Sequence, residues 1–257
     1  MSIIQRREQG FTLVELAIVL MIIGLLIGGI LRGQEMLTNA RLQATIKQVN
    51  SYTGAINTFR DTYDGFPGDL RTATNRLPGC TASNNCVAGN GNGIVGTPIE
   101  VWQGGQQAIS TENSQFWKHL ALAHLITGVE PSASLPIWGK SHPASLAPSA
   151  SGFTVVTTVT APDGQTGGAT NASVMTGALV LRMHGDLASN YTEDVPAISP
   201  KNAAYIDRKM DDGMPQTGDV QSRANGNGAY VAACESATGY DASREDAFCT
   251  MSFLLNR

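Results

Sequence analysis

The chain has 257 residues, of which 42% are hydrophobic and 15% are charged, and its formal net charge at pH 7 is −4. This acidic balance argues against a nucleic-acid-binding protein of the usual strongly basic kind, so no nucleic-acid partner is expected. The length suffices for a long N-terminal helix followed by one globular domain of about 190 residues.

An apolar run from Gly10 to Leu31 dominates the N-terminal region; Glu15 is its only charged residue, and it contains no proline. At ~1.5 Å per residue, a helix of this length covers roughly 32 Å and can cross a bilayer core of ~30 Å. A charge inside a membrane segment is costly and usually serves a function, so Glu15 is a candidate functional residue.

The segment before this run, MSIIQRREQG, is polar and basic. In a secretory signal peptide, a cleavage site of small residues follows the apolar segment. Here the glycine lies in front of the run, and the chain continues beyond Leu31 in a helical pattern. The order of basic leader, Gly10 and Phe11-Thr-Leu-Val-Glu15 resembles the class III leader of type IV pilins and of the pseudopilins of type II secretion.

The resemblance implies a specific maturation and assembly. In that family a prepilin peptidase cleaves after the glycine, so cleavage is expected between Gly10 and Phe11, with N-methylation of Phe11. The resemblance also implies that Glu15 pairs with the N-terminal amine of a neighbouring subunit. Electrostatics agrees, because a carboxylate in an apolar assembly is costly unless it is paired. A plain N-terminal anchor helix is the alternative interpretation.

Beyond Arg32 the helical pattern continues, with apolar residues spaced by three and four positions along one face. These residues are Leu42, Ile46, Val49, Tyr52, Ile56, Phe59 and Tyr63. Gly65 is predicted to take the left-handed position at the helix end, and Pro67 blocks continuation. One helix from Phe11 to Tyr63 is therefore expected, roughly 80 Å long.

Four cysteines form two local pairs in the sequence, Cys80/Cys86 and Cys234/Cys249. Three disulfide connectivities are open, and local pairing is the simplest. Both disulfides would form if this part of the chain faces an oxidising compartment. The pilin resemblance implies a C-terminal disulfide loop at the second pair. Zinc binding is the weaker alternative, because neither pair has C-x-x-C spacing and no histidine is close in sequence.

Residues 68–112 are rich in Gly, Asn and Thr and predict a long loop. Within it, Gly91 to Gly96 fits the pattern G-x-G-x-x-G, but no predicted strand precedes it, so a turn-rich loop is favoured over a nucleotide site. Asp61, Asp64 and Asp69 surround the nearby turn, and solvated carboxylates are a sufficient explanation for them.

The remaining pattern predicts two shorter helices. The first covers 113–126 and is ended by Gly128, and the second covers 199–213, with Ser199 as N-cap and Gly213 at its end. Strands are predicted at 153–160, 174–183, 228–234 and 247–255. His119 and His124 are interpreted as structural. The predicted fold is α+β and pilin-like, with the long helix packed against a small antiparallel sheet. It comprises a leader at 1–10, a long helix at 11–65 with a transmembrane or filament-core part at 11–31, and a disulfide-pinned globular head at 66–257.

The second short helix has an acidic end, where the helix dipole disfavours negative charge. Calcium is therefore a candidate ligand, with oxygens from Asp207, Asp211, Asp212 and Asp219. The spacing does not match an EF-hand loop, and Arg208 and Lys209 could neutralise the charges instead. No other cofactor is expected.

The sequence contains no G-x-S-x-G, H-E-x-x-H or P-loop lysine motif, so a structural protein is predicted and not an enzyme. The resemblance implies a filament subunit that polymerises with itself or with other pilins, after storage in a bacterial inner membrane with its head in the periplasm. Its final location is then the cell surface. A periplasmic pseudopilus subunit or a minor, adhesive tip pilin is the first alternative, and a non-polymerising membrane-anchored binding protein is the least favoured.

Overall fold

The computed structural model describes residues 12–96, 102–103, 106–107, 111–157, 178–185, 196–223, 234–236, 239–246 and 249–255. By its internal contacts the chain divides into two compact units, residues 1–40 and residues 41–257. The first unit contains the N-terminal part of the long helix. The second contains the sheet, the shorter helices and both disulfides.

The helices are α1 (Leu13–Tyr63), α2 (Ala73–Arg76), α3 (Glu112–Leu122) and α4 (Pro200–Met210), with a 3₁₀ turn at Ala82–Asn84. The strands are β1 (Trp102–Gln103), β2 (Gln106–Gln107), β3 (Gly152–Thr157), β4 (Leu179–His184), β5 (Val220–Arg223), β6 (Glu235–Ser236), β7 (Gly239–Tyr240) and β8 (Thr250–Leu254). The main sheet has the order β3-β4-β8-β5, and its neighbouring strands are all antiparallel. The predicted α+β class is confirmed.

Helix α1 ends at Tyr63, as predicted, but the left-handed residue that follows is Asp64 (φ 56°) and not Gly65. Aspartate tolerates this conformation because its short polar side chain can bond locally. The guanidinium of Arg76 completes the end, since it donates to the carbonyl oxygens of Thr62 at 2.9 Å and Tyr63 at 2.5 Å. No sequence pattern marks Arg76 for this role.

The core of the second unit is formed by one face of α1, helix α3 and the inner face of the sheet. Tyr52 of α1 joins them, because its ring lies 5.1 Å from Trp117 of α3 and 5.6 Å from Phe153 of β3, both edge to face. Burying aromatic side chains of this size dominates core energetics. The apolar stripe predicted for the second half of α1 is therefore confirmed as its packing face.

The shorter helices end earlier than predicted. Helix α3 stops at Leu122, and His124 takes the left-handed conformation (φ 56°), so Gly128 is not its terminator. Helix α4 begins at Pro200, with the Ser199 side chain accepting the N–H of Asn202, as predicted. It stops at Met210, because Asp211 leaves the helical conformation (φ −149°, ψ −140°). Beyond this end, Gly213 takes a positive φ of 78°, and the Asp207 carboxylate accepts its N–H.

The strand predictions are confirmed in part. Strands β3, β4 and β8 lie within or next to three of the predicted segments, but residues 158–160, 174–177, 228–233 and 247–248 of those predictions lie outside the described residues. Strand β5 was not predicted, because its sequence VQSR lacks alternation of apolar and polar residues.

Candidate functional site

The N-terminal part of α1 is an exposed apolar surface. In the first unit, Leu13 is 87% exposed and Leu25 is 72% exposed, and the other large hydrophobic residues from Val14 to Leu37 are exposed as well. The helix is long and apolar enough to cross a membrane. Contiguous apolar surface on this scale requires a lipid or protein environment that covers it.

Glu15 and Thr12 form a reciprocal capping box at the start of α1. Glu15 Oε2 accepts the backbone N–H of Thr12 at 2.9 Å and its hydroxyl at 2.9 Å, and the Thr12 hydroxyl oxygen accepts the N–H of Glu15 at 3.2 Å. This arrangement satisfies backbone donors that a helix start leaves open. In the single chain, the Glu15 carboxylate is thus engaged within its own helix.

The sequence prediction missed Thr12, although its T-x-x-E spacing before an apolar run is the pattern of a capping box. The predicted processing residues Gly10 and Phe11 lie outside the described residues. Cleavage between them and N-methylation of Phe11 therefore stay predictions.

Both predicted disulfides are present in the local pairing. Cys80 is bonded to Cys86, and Cys234 is bonded to Cys249. The fold also brings a ring nitrogen of His119 within 4.8 Å of the first pair, although no histidine is close to it in sequence. Because the two sulfurs are joined, they are not the thiolates that bind zinc.

Asp69 was predicted to be a solvated carboxylate, and this is wrong: its side chain is buried. Its Oδ1 accepts the N–H of Gly91 at 2.6 Å, and its Oδ2 accepts the N–H of Gly93 at 2.8 Å. The two glycines have positive φ angles of 70° and 82°, which turn their N–H groups toward the carboxylate. The turn-rich loop predicted at Gly91 to Gly96 is confirmed, and its backbone N–H groups bind the Asp69 carboxylate. The longer loop predicted at 68–112 is interrupted by α2, a 3₁₀ turn, β1 and β2. Asp61 and Asp64 are exposed, as expected.

Two charged side chains of α3 bind backbone groups of the first disulfide loop and of the segment that follows it. Glu112 accepts the N–H groups of Asn90 at 2.9 Å and Gly96 at 3.2 Å. The Lys118 ammonium donates to three carbonyl oxygens, those of Asn84, Asn85 and Ala133. Burial lowers the pKa of Lys118 to about 8, and the three acceptors stabilise the positive charge that remains.

Two histidines are buried in neutral form. His119 Nδ1 accepts the N–H of Gly68 at 2.9 Å, and its Nε2 lies 3.0 Å from the carbonyl oxygen of Val87, to which it donates. Burial lowers the pKa of His119 to about 4 and that of His142 to about 3. The structural role predicted for His119 agrees with these contacts, whereas His124 is exposed at the end of α3.

The acidic end of α4 brings three of the four predicted calcium ligands together. Carboxylate oxygens of Asp207, Asp211 and Asp212 lie within 4.8 Å of one another, whereas Asp219 donates its backbone N–H to Asp211. Burial, together with the two neighbouring carboxylates, raises the pKa of Asp207 to about 6, although Tyr240 donates its hydroxyl to Asp207 at 2.7 Å.

Comparison with known proteins identifies the N-terminal segment. Residues 5–31 match the family model of the prokaryotic N-terminal methylation motif, and this segment contains Gly10, Phe11 and Glu15. Curated proteins and solved structures that were compared with the chain gave no match. The chain therefore carries the prepilin-type signal of type IV pilins and pseudopilins. Together with the α+β architecture and the apolar helix, this signal supports a type IV pilin-like or pseudopilin-like protein.

Proposed function

We propose that this chain is a structural subunit of a type IV pilus-like filament that a prepilin peptidase processes and that assembles through its N-terminal helix. The observation that carries the proposal is the methylation motif at residues 5–31, which runs directly into the exposed apolar part of α1. A methylation signal of this kind accompanies cleavage directly before a helix that is retained. A plain membrane anchor does not need such a signal.

The exposed apolar surface supports the assembly step. Lipid covers this surface while the subunit is stored in the membrane, and the same helices of other subunits cover it in a filament. Transfer between these two apolar environments leaves little net hydrophobic driving force, so packing and polar pairs must favour the filament. Glu15 is the acidic residue in the first turn of α1, inside the uninterrupted apolar run that ends at Leu31, and the N-terminal amine of a neighbour is its partner in this proposal.

The pilin-type signal favours a non-enzymatic role. Anchoring in the inner membrane, with the second unit in the periplasm, is part of the proposal because it places the four cysteines where disulfides persist. Homopolymers and mixed polymers with other pilins are both consistent with the exposed helix.

A minor or tip subunit of the filament, acting in adhesion, is the second candidate, together with a pseudopilin of type II secretion. The observation that favours it is size. The head, residues 66–257, is larger than we expect of a minimal major pilin, which favours the minor or tip subunit.

Calcium binding by the predicted set Asp207, Asp211, Asp212 and Asp219 stays a proposal, which the convergence of the first three carboxylates supports because a cation would relieve their repulsion. Calorimetry of the chain in detergent micelles, with Ca²⁺ and then with a chelator, tests it. Binding heat and a higher melting temperature with Ca²⁺ are expected; no heat and no melting shift would contradict calcium binding.

Mass spectrometry of the mature N-terminus, combined with electron microscopy of sheared surface fractions, tests the main proposal. N-methyl-Phe11 at the N-terminus and the chain within fibres are expected. A mature chain that retains residues 1–10 would contradict processing. A processed chain that is absent from surface fibres but present in periplasmic assemblies would favour the pseudopilin.

A further inference from the structure

The loop around Asp69 contains two consecutive Asn-Gly dipeptides, Asn90-Gly91 and Asn92-Gly93, and all four residues are exposed. Asn-Gly is chemically labile, because glycine has no side chain to shield its backbone nitrogen. That nitrogen loses its proton and attacks the asparagine Cγ, ammonia leaves, and a succinimide forms. Water then opens the ring to aspartate or isoaspartate, so the net change is amide plus water to carboxylic acid plus ammonia.

We propose that Asn90 and Asn92 in this loop are latent deamidation sites, and that hydrogen bonds to Asp69 slow their deamidation in the folded chain. The assignment concerns the chemical durability of the folded head and does not depend on whether the chain polymerises. It rests on what binds the two attacking nitrogens and on what binds the two asparagine side chains.

Both attacking nitrogens are bound to Asp69. The N–H of Gly91 donates to Asp69 Oδ1 at 2.6 Å and lies 3.0 Å from the Asp69 backbone carbonyl oxygen, to which it also donates. The N–H of Gly93 donates to Asp69 Oδ2 at 2.8 Å. Ring closure needs a deprotonated nitrogen, and a buried carboxylate at hydrogen-bonding distance disfavours negative charge there. Asp69 therefore lowers the reactivity of both glycines.

Both asparagine side chains are also engaged. Asn90 Oδ1 accepts the N–H of Asn92 at 2.9 Å, and Asn92 Oδ1 accepts the N–H of Ile94 at 2.8 Å. Each amide group is thus fixed on the nitrogen two residues ahead, and not on the neighbouring glycine nitrogen that would attack it. Deamidation requires at least one bond of Asp69 and one of these bonds to open together.

Deamidation would also damage the loop that it occurs in. A new carboxylate at position 90 or 92 would lie close to the negative charge of Asp69, and Asn90 itself donates its N–H to Glu112. Like charges at this distance repel, and the bonds that close the loop would weaken. Deamidation at one of the two asparagines is therefore expected to speed deamidation at the other.

The experiment follows deamidation in the full chain in detergent micelles, by peptide mass spectrometry with detection of isoaspartate. The folded chain is compared with the same chain in urea with its disulfides intact. Deamidation of Asn90 and Asn92 is expected to be at least about tenfold slower in the folded chain, the factor that one charged hydrogen bond supplies. Equal rates in the two states would overturn the proposal.

The variant Asp69→Asn removes the charge and should accelerate deamidation at both asparagines by roughly tenfold. Glu112→Gln is the matched control, since Glu112 binds the N–H groups of Asn90 and Gly96, neither of which is an attacking nitrogen. A folded Asp69→Asn chain that deamidates no faster than Glu112→Gln would refute the role of Asp69. If Asp69→Asn does not fold, hydrogen exchange of the Gly91 and Gly93 amides in the wild type decides, and unprotected amides would refute it.

Discussion

Glu15 accepts the backbone N–H of Thr12 at 2.9 Å, so the charge proposed to direct assembly caps its own helix in the single chain. Two roles of one carboxylate can be separated by substitution. Capping needs only an oxygen acceptor, which glutamine also supplies, whereas pairing with an amine needs the negative charge.

Glu15→Gln is expected to be cleaved, methylated and inserted like the wild type but to be incorporated poorly into filaments, because it retains the cap and loses the charge. Glu15→Ala loses both and should assemble no better. Thr12→Ala is the matched control; it retains the charge and loses about 1 kcal/mol of capping. Mass spectrometry of the N-terminus and quantification of sheared filaments measure these steps, and wild-type incorporation of Glu15→Gln would contradict the assembly role.

The free energy of unfolding should fall as the pH is lowered from about 6.5 toward 4. The pKa values of His119 and His142 are lowered to about 4 and about 3, so in this window the unfolded chain binds protons that the folded chain does not. The loss for each histidine approaches roughly 1.4 kcal/mol per pH unit. Urea denaturation in detergent micelles at several pH values measures it.

The exposed His124 provides the control for this pH dependence, since His124→Asn should leave the slope unchanged. His119→Gln should reduce the slope, although it also lowers stability at neutral pH. Asp207, whose pKa is raised, acts in the opposite direction in this window. A free energy of unfolding of the Asp207→Asn variant that stays constant between pH 6.5 and pH 4.5 would therefore contradict the buried, neutral state of both histidines.

Asp207→Asn should stabilise the chain at pH 8 more than at pH 5. The pKa of Asp207 is raised to about 6, so the folded state favours the protonated carboxyl, and its stabilising effect is lost as the pH rises through about 6. Asparagine is neutral at every pH and still offers an oxygen to Tyr240. Thermal melts at the two pH values, without calcium, measure the difference; equal effects at both would contradict the raised pKa.

Arg76→Ala should destabilise the chain by about 1–2 kcal/mol, because two carbonyl oxygens at the end of α1 lose a charged donor. The ring of Tyr63 also loses the guanidinium, which lies 5.3 Å from its centroid. Lys47→Ala, on the exposed side of the same helix, is the control and should change stability little. Chemical denaturation of both variants checks this, and equal effects would argue against a capping role for Arg76.

The two disulfides should contribute unequally to stability. Chain-entropy arguments give about 3 kcal/mol for the Cys234–Cys249 loop, with a sequence separation of 15, and about 2 kcal/mol for the Cys80–Cys86 loop, with a separation of 6. Paired Cys→Ser variants of each bond, compared by thermal denaturation, measure the difference. A larger loss for Cys80/Cys86 would show that contacts of the first loop with α3 outweigh chain entropy.

The sequence alone predicted the features that depend on local pattern. The methylation signal and the long helix follow from apolar spacing and one glycine–phenylalanine junction, both visible without tertiary contacts. The N-cap of α4 followed from Ser199 and Pro200 for the same reason. Helix ends were predicted less well, because Asp64 and His124 took left-handed positions for which glycines nearby had seemed better suited.

Only the tertiary structure decided the roles of the buried polar groups. Asp69 is more than twenty positions from the glycines that it binds, and Arg76 is more than ten positions from the carbonyl oxygens that it caps, so no periodicity connects them. A carboxylate of the same type is solvated at Asp61 and buried at Asp69, because burial and partners depend on which distant N–H groups the fold brings near. The sequence determines which polar side chains the chain contains. Their hydrogen-bond partners, and with them their charge and pKa, follow from three-dimensional contacts.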